Sequence, residues 1–141
     1  IEMREKKEHL FIIFEKLIKI KSECSSQIFS ECGLSDLTLK QIEYLRAIDE
    51  NEEVTFSKLA KITSNSKPTI TEMINKFVKM ECVYKERSKD DGRIFYIRLT
   101  EKGHAVAHAE EHALSQVIER IANSLDEKEM DMLIKILGKI R

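Results

Sequence analysis

Apolar side chains recur at helical spacing from Arg4 to about Ser22, with Leu10, Phe14 and Leu17 on one line and Phe11 and Ile18 beside it. This predicts an amphipathic helix whose stripe is wide enough to meet more than one neighbour. A breaker follows at "ECGLSD". Thr38 and Gln41 then have capping-box spacing, with Leu37 and Ile42 placed for a hydrophobic staple, so a second helix is expected over Leu39 to Asp49, burying Ile42, Leu45 and Ile48. Beyond the acidic link "DENEE", Val54, Thr55 and Leu59 repeat that arrangement and open a short helix, Phe56 to Ile62. "TSNSKP" reads as a turn in which Ser66 caps the next helix and Pro68 occupies its first turn, where a missing N–H costs nothing. That helix runs to about Met80 and buries Ile70, Ile74, Phe77 and Val78.

The periodicity then changes from 3.6 to 2. In "RIFYIRL", Phe95, Ile97 and Leu99 share one strand face and Ile94, Tyr96 and Arg98 the other, while "VYKER" supplies the pairing strand. "SKDDG" joins them, with Gly92 available for positive φ. Thr100 is placed to cap a long helix from Glu101 to Asn123 with a stripe of Leu114, Val117, Ile118 and Ile121. Leu125, Asp126, Glu129 and Met130 form another staple and capping box, before a last helix striped by Met130, Leu133, Ile134, Leu137 and Ile140. The order α-α-α-α-β-β-α-α is a helix-turn-helix followed by a hairpin. The fold class is therefore mainly α with a small β-hairpin: a winged helix-turn-helix, residues 37–100, flanked by helical regions 1–36 and 101–141. The outer stripes exceed what that small core needs. A second copy of the chain would cover them and would set two reading heads one DNA turn apart.

Composition narrows the function. The 141 residues suit one compact chain, 42 % hydrophobic and 35 % charged, with 4 Gly and 1 Pro. The net charge of −1 argues against a generic polyanion binder, but it is unevenly spread. Val54 to Gly103 holds 11 Lys and Arg against 6 Asp and Glu, and the remainder holds 13 against 19. A basic middle between acidic ends suits local contact with nucleic acid. The longest apolar run, near Leu10 to Phe14, is far short of a membrane span, and no secretory signal is visible, although Ile at position 1 suggests a trimmed start. Three cysteines without metal-type pairing suit a reducing cytoplasm, which is the expected location. There is no nucleophile–base pairing, phosphate-cradling glycine loop or complete metal set, so neither an enzyme nor a resident cofactor is expected.

The stretch "SNSKPTITEMINKFVKMECVYKERSKDDGRIFYIRLTEKG", in which "DGR" precedes "TEKG" by six residues, resembles the MarR family of transcriptional regulators, and the resemblance extends over nearly the whole chain. Phe77, Glu81 and Glu72 depart from it, standing where the family usually has Leu, Gly and a basic or small residue. It implies a homodimeric winged-helix factor that binds double-stranded DNA, represses promoters and often releases them to a small-molecule effector. Carried over residue by residue, it places Ser66, Lys67, Pro68 and Thr69 at the start of the recognition helix in the major groove and Lys76 on a phosphate. Arg93 enters the minor groove with Asp91 fixing its guanidinium, while Arg87 and Lys89 meet phosphates.

Weaker constellations remain. His104, His108 and His112 stand four apart on one helix face and can share a metal, though polar positions facing a pocket or solvent are the more ordinary reading. Cys24 and Cys32 flank the end of the first helix, near where peroxide-sensing relatives keep a thiol; Cys82 reads as core. The resemblance also implies an effector pocket, for which Phe11, Phe14 and Tyr44 are candidates, each readable as plain core. Two other readings stand beside a DNA-binding regulator: a winged-helix protein–protein module, and a metal- or thiol-sensing member of the same family.

Overall fold

The computed structural model describes residues 2–141; Ile1, counted in the expected helical region, lies outside them. The elements are α1 (Glu2–Glu31), α2 (Leu39–Glu50), α3 (Phe56–Thr63), α4 (Lys67–Lys79), β1 (Val83–Arg87), β2 (Phe95–Leu99), α5 (Glu101–Ala107), α6 (Ala109–Ser124) and α7 (Glu127–Leu137). Among the described residues, no helix is long and apolar enough to cross a membrane. The chain forms two compact units: Ser26–Ala109, and the residues up to Ser25 together with Glu110–Arg141.

In the unit Ser26–Ala109, α2, α3, α4 and the hairpin close a core of Leu45, Leu59, Ile70, Ile74 and Phe77, all fully buried, with Val54, Cys82, Val83 and Ile97 beside them. The caps are those the sequence predicts. Thr38 and Gln41 form a reciprocal capping box on α2, and Thr55 accepts from the Lys58 N–H on α3. β1 and β2 pair antiparallel with Val83 opposite Leu99 and Arg87 opposite Phe95. The Ile97 N–H donates to the Val54 carbonyl at 2.7 Å, which ties the hairpin to the α2–α3 link. Gly103 explains the end of "TEKG": a Cβ there would lie 2.0 Å from the Cys82 carbonyl oxygen, so α5 starts against the backbone at the head of β1.

Four expectations need correction. α1 does not stop at Ser22 but continues to Glu31. No Gly or Pro interrupts "SECSSQIFSE", and its end is a Schellman turn at Gly33 (φ 70°), in which Leu34 N–H reaches Phe29 O at 2.8 Å and Gly33 N–H reaches Ser30 O at 2.9 Å. Val78 is 37 % exposed, because the face set by Ile70, Ile74 and Phe77 turns away from it by about a quarter-turn. Gly92 does not adopt positive φ, since side chains of Ser88 and Asp91 make the turn instead. The helix expected over Glu101–Asn123 is broken at His108 (φ −110°, ψ 14°). The Ala107 carbonyl there accepts from Arg46 Nε at 2.8 Å, a side chain inserted at the point where the helix breaks.

In the other unit, α6 buries Ala113 and Val117, Lys21 pairs with Glu110 at 2.5 Å, and Asp126 and Glu129 form the predicted capping box on α7. Much of its apolar surface stays in solvent, including Phe11, Ile12, Ile18, Ile118 and Ile134.

Candidate nucleic-acid interface

The reading head begins with the turn between α3 and α4. Ser64 takes the left-handed conformation (φ 56°), and the N–H groups of Ser64 and Asn65 close on Lys61 O and Ala60 O, another Schellman end. Asn65 Nδ2 then donates to the hydroxyl of Tyr44 at 2.7 Å and to Thr63 O at 3.2 Å, anchoring the turn to a largely buried residue of α2. Neither role was visible in sequence. Asn65 reads only as a turn residue, and nothing in the local pattern indicates which distant side chain it bonds.

Ser66 caps α4 as expected: its Oγ accepts from Thr69 N–H at 3.3 Å and lies 2.8 Å from Thr69 Oγ1. Because Ile70, Ile74 and Phe77 point into the core, the opposite face of α4 presents Lys67, Pro68, Thr69, Glu72 and Lys76 to solvent. The cap changes the chemistry of the helix start. Pro68 has no N–H and that of Thr69 is engaged by Ser66, so the helix end offers an anion the Lys67 amide and side-chain charge, not a row of free donors.

The wing is built around its acid. Asp91 Oδ1 accepts from the Arg93 N–H at 3.0 Å and from Nε at 3.1 Å, while Oδ2 accepts from Nη2 at 3.2 Å. Those bonds, the guanidinium first and the backbone N–H second, hold the Asp91 carboxyl below its ordinary range. Arg93 stays 91 % exposed, so it is oriented without being covered. Ser88 Oγ accepts from the N–H groups of Asp90 and Asp91, and Ile94 N–H closes on Asp91 O, giving the tip a fixed shape. Arg87 lies over the Phe95 ring, 5.1 Å from its centroid, and Lys89 stands exposed at the tip. Lys85 and Arg98, which sequence reasoning passed over, extend the basic hairpin. Lys85 lies 5.9 Å from the Phe56 ring centroid, and Arg98 Nε donates to Glu86 at 2.6 Å.

The remaining candidates divide between the units. Phe11 and Phe14 lie exposed on α1, whereas Tyr44 belongs to the core around α2. Cys24 and Cys32 are free and half-buried; Cys82 is free and sealed, and burial pushes its thiol up. His104 and His108 come together, their ring centroids 4.6 Å apart, but the third member of their group is Asp49, while His112 lies in the other unit. Asp49 accepts from His108 Nε2 at 2.5 Å and lies 3.4 Å from His104 Nδ1. Its carboxyl is lowered, with the bond to His108 the largest cause.

The family model for the transcriptional regulators SarA/Rot matches residues 26–109, the span of the winged-helix unit. No curated protein matches the chain. Solved structures share its fold. A MepR mutant from Staphylococcus aureus bound to an oligodeoxyribonucleotide is 18 % identical over 92 % of this chain and 94 % of that one, with a TM-score of 0.62. MepR from the same organism bound to ethidium bromide is 18 % identical over 91 % of each chain, with a TM-score of 0.65. A MarR mutant from Escherichia coli is 21 % identical over 92 % and 94 %, with a TM-score of 0.53. At such identities these likenesses speak for the architecture, which is that of MarR-type regulators, and the family match spans more than half of the sequence: the chain belongs to the SarA/Rot family of winged-helix transcriptional regulators.

Proposed function

We propose that the chain acts as a homodimeric, sequence-specific DNA-binding repressor in the cytoplasm, placing α4 in the major groove and the wing in the minor groove of a palindromic operator. The observation that carries this reading is the wing tip, where an arginine almost wholly in solvent is held in one orientation by Asp91. A preset guanidinium spends little rotamer freedom on entering a narrow groove. Ser66, Lys67, Pro68 and Thr69 supply the short polar contacts at the start of α4, with Lys76, Arg87 and Lys89 on phosphates. The helical regions 1–36 and 101–141 pair with those of a second copy, which sets the two reading heads about 34 Å apart. A regulator of this fold bound to an oligodeoxyribonucleotide supports the DNA reading, and MepR bound to ethidium bromide supports a response to a small-molecule effector.

The test is selection of bound duplexes from a random pool with the full chain, followed by anisotropy titration of Arg93→Ala. The variant is expected to lose more than tenfold in affinity, at least about 1.4 kcal/mol, while its melting temperature stays unchanged. Unchanged affinity would remove the wing from the interface.

A further inference from the structure

We propose that Asp49, His104 and His108 form a binding site for a divalent transition metal of the zinc class, a site that lies wholly within the winged-helix unit and ties α5 to α2. One donor atom from each residue lies within 4.8 Å of the others. Two ligands about 2.1 Å from one ion at a tetrahedral angle stand roughly 3.4 Å apart, which is the separation between Asp49 Oδ1 and His104 Nδ1. The closer contact, His108 Nε2 to Asp49 Oδ2 at 2.5 Å, is a hydrogen bond whose proton occupies the place an ion would take. Loading therefore needs that pair to open by only about 1 Å.

The ligands sit on backbone that is already fixed. His104 lies on α5 and His108 caps its end one turn further on; the start of α5 is capped by Thr100 and pressed through Gly103 against Cys82, and its end is held by the bond from Arg46 to the Ala107 carbonyl. Asp49 is in the last turn of α2. Little has to be ordered on binding, which favours affinity. A cleft of about 380 Å³ opens beside Asp49 and His104 and carries Glu53 and Glu101 as well. Arg98, in its wall, already donates to Glu86. The cleft is thus negative and open to solvent, which attracts a cation and leaves coordination positions for water. Two imidazoles and one carboxylate select Zn²⁺, Co²⁺ or Ni²⁺ over the hard cations, which prefer all-oxygen sites.

The test is titration of the metal-free full chain with zinc alone against a chromophoric chelator, then with cobalt, whose visible spectrum reports the ligand set. One ion per chain is expected, with a dissociation constant of ~1 μM or tighter and no thiolate charge-transfer band. His108→Ala and the near-isosteric Asp49→Asn should each weaken binding at least tenfold, whereas His112→Gln and Cys24→Ser leave it unchanged. His104→Gln serves as the replacement if circular dichroism shows His108→Ala unfolded. Absence of binding at micromolar zinc, affinity that survives Asp49→Asn, or loss on His112→Gln would overturn the site; the first of these leaves an Asp–His ion pair. The titration contains no DNA, so its failure and failure of the operator experiment are separate results.

Discussion

Phe77 and Phe11 are the same side chain in opposite circumstances. Phe77 is fully buried on α4, with Leu45, Leu59, Ile70 and Ile74 equally sealed around it, whereas Phe11 on α1 is 65 % exposed, in company with Ile12, Ile18 and Ile134. The winged-helix unit closes its core with one copy of the chain. The other unit does not: α7 has no buried residue at all, although its alternation of apolar and charged positions is as regular as that of α4. Periodicity therefore reports that a face is apolar but not what covers it. The same physical signal marks a finished core in one unit and an open surface in the other.

The sharpest way to break this contrast is to truncate both phenylalanines. Phe77→Ala should cost about 3–5 kcal/mol, at any protein concentration, because the surrounding core cannot collapse into the space. Phe11→Ala should change the unfolding midpoint far less in dilute chain and more as concentration rises, if a second copy covers it. Chemical denaturation at two concentrations separates these outcomes. A smaller effect is expected from Ile18→Glu, placed on a residue 64 % exposed in the single chain. It should leave the helical spectrum intact and weaken self-association at least tenfold, about 1.4 kcal/mol, by sedimentation equilibrium. A parent chain that sediments as a monomer would leave the apolar face of α1 unexplained by self-pairing.

Most of the fold was legible because local chemistry dictated it. Thr38, Thr55, Ser66, Thr100 and Asp126 each cap the helix that their spacing predicts. The Asp91–Arg93 pair followed from the resemblance and from two residues' separation, and the structure joins them. What stayed hidden depends on groups distant in sequence. The break at His108 follows a carbonyl, that of Ala107, held by Arg46 from 61 positions away, and a helix-long periodic stripe carries no trace of that bond. Asp49 looked like the first of a solvated acidic run; only the packing of α2 on α5 brings it to two imidazoles 55 and 59 residues on. Gly92 misled for a third reason, since side-chain acceptors at Ser88 and Asp91 can shape a tight turn that a glycine would otherwise be needed for.

Asp49 also makes the stability of the fold depend on pH. Its folded carboxyl is lowered, chiefly by the bond from His108, so the native state binds fewer protons there than the unfolded chain. That stabilisation is present above the unfolded value near pH 4 and is lost as the pH falls through the folded value. Asp49→Asn should therefore cost stability at pH 7, by no more than about 1 kcal/mol for so accessible a pair, and the difference should shrink toward pH 3. A gap that persists at pH 3 would mean that packing, not charge, makes Asp49 matter.

The smallest expected effect concerns two helix ends of one kind. α1 and α4 both finish in Schellman turns with a left-handed residue, Gly33 at φ 70° and Glu81 at φ 60°. Only glycine takes that conformation without a Cβ penalty of roughly 1–2 kcal/mol, but it also gives up more entropy on folding, by about 0.5–1 kcal/mol. Glu81→Gly should accordingly stabilise the winged-helix unit by about 0.5 kcal/mol, and Gly33→Ala, which meets nothing within 4 Å, should destabilise by a similar amount through φ alone. The two ends differ in one respect. Thr100 Oγ1 donates to the Glu81 carbonyl at 2.6 Å, so the second turn is pinned from outside as well as by its own bonds. If thermal melts show Glu81→Gly to be neutral, that pin already holds the left-handed backbone, and Thr100→Val should then cost more than the loss of a helix cap alone would explain.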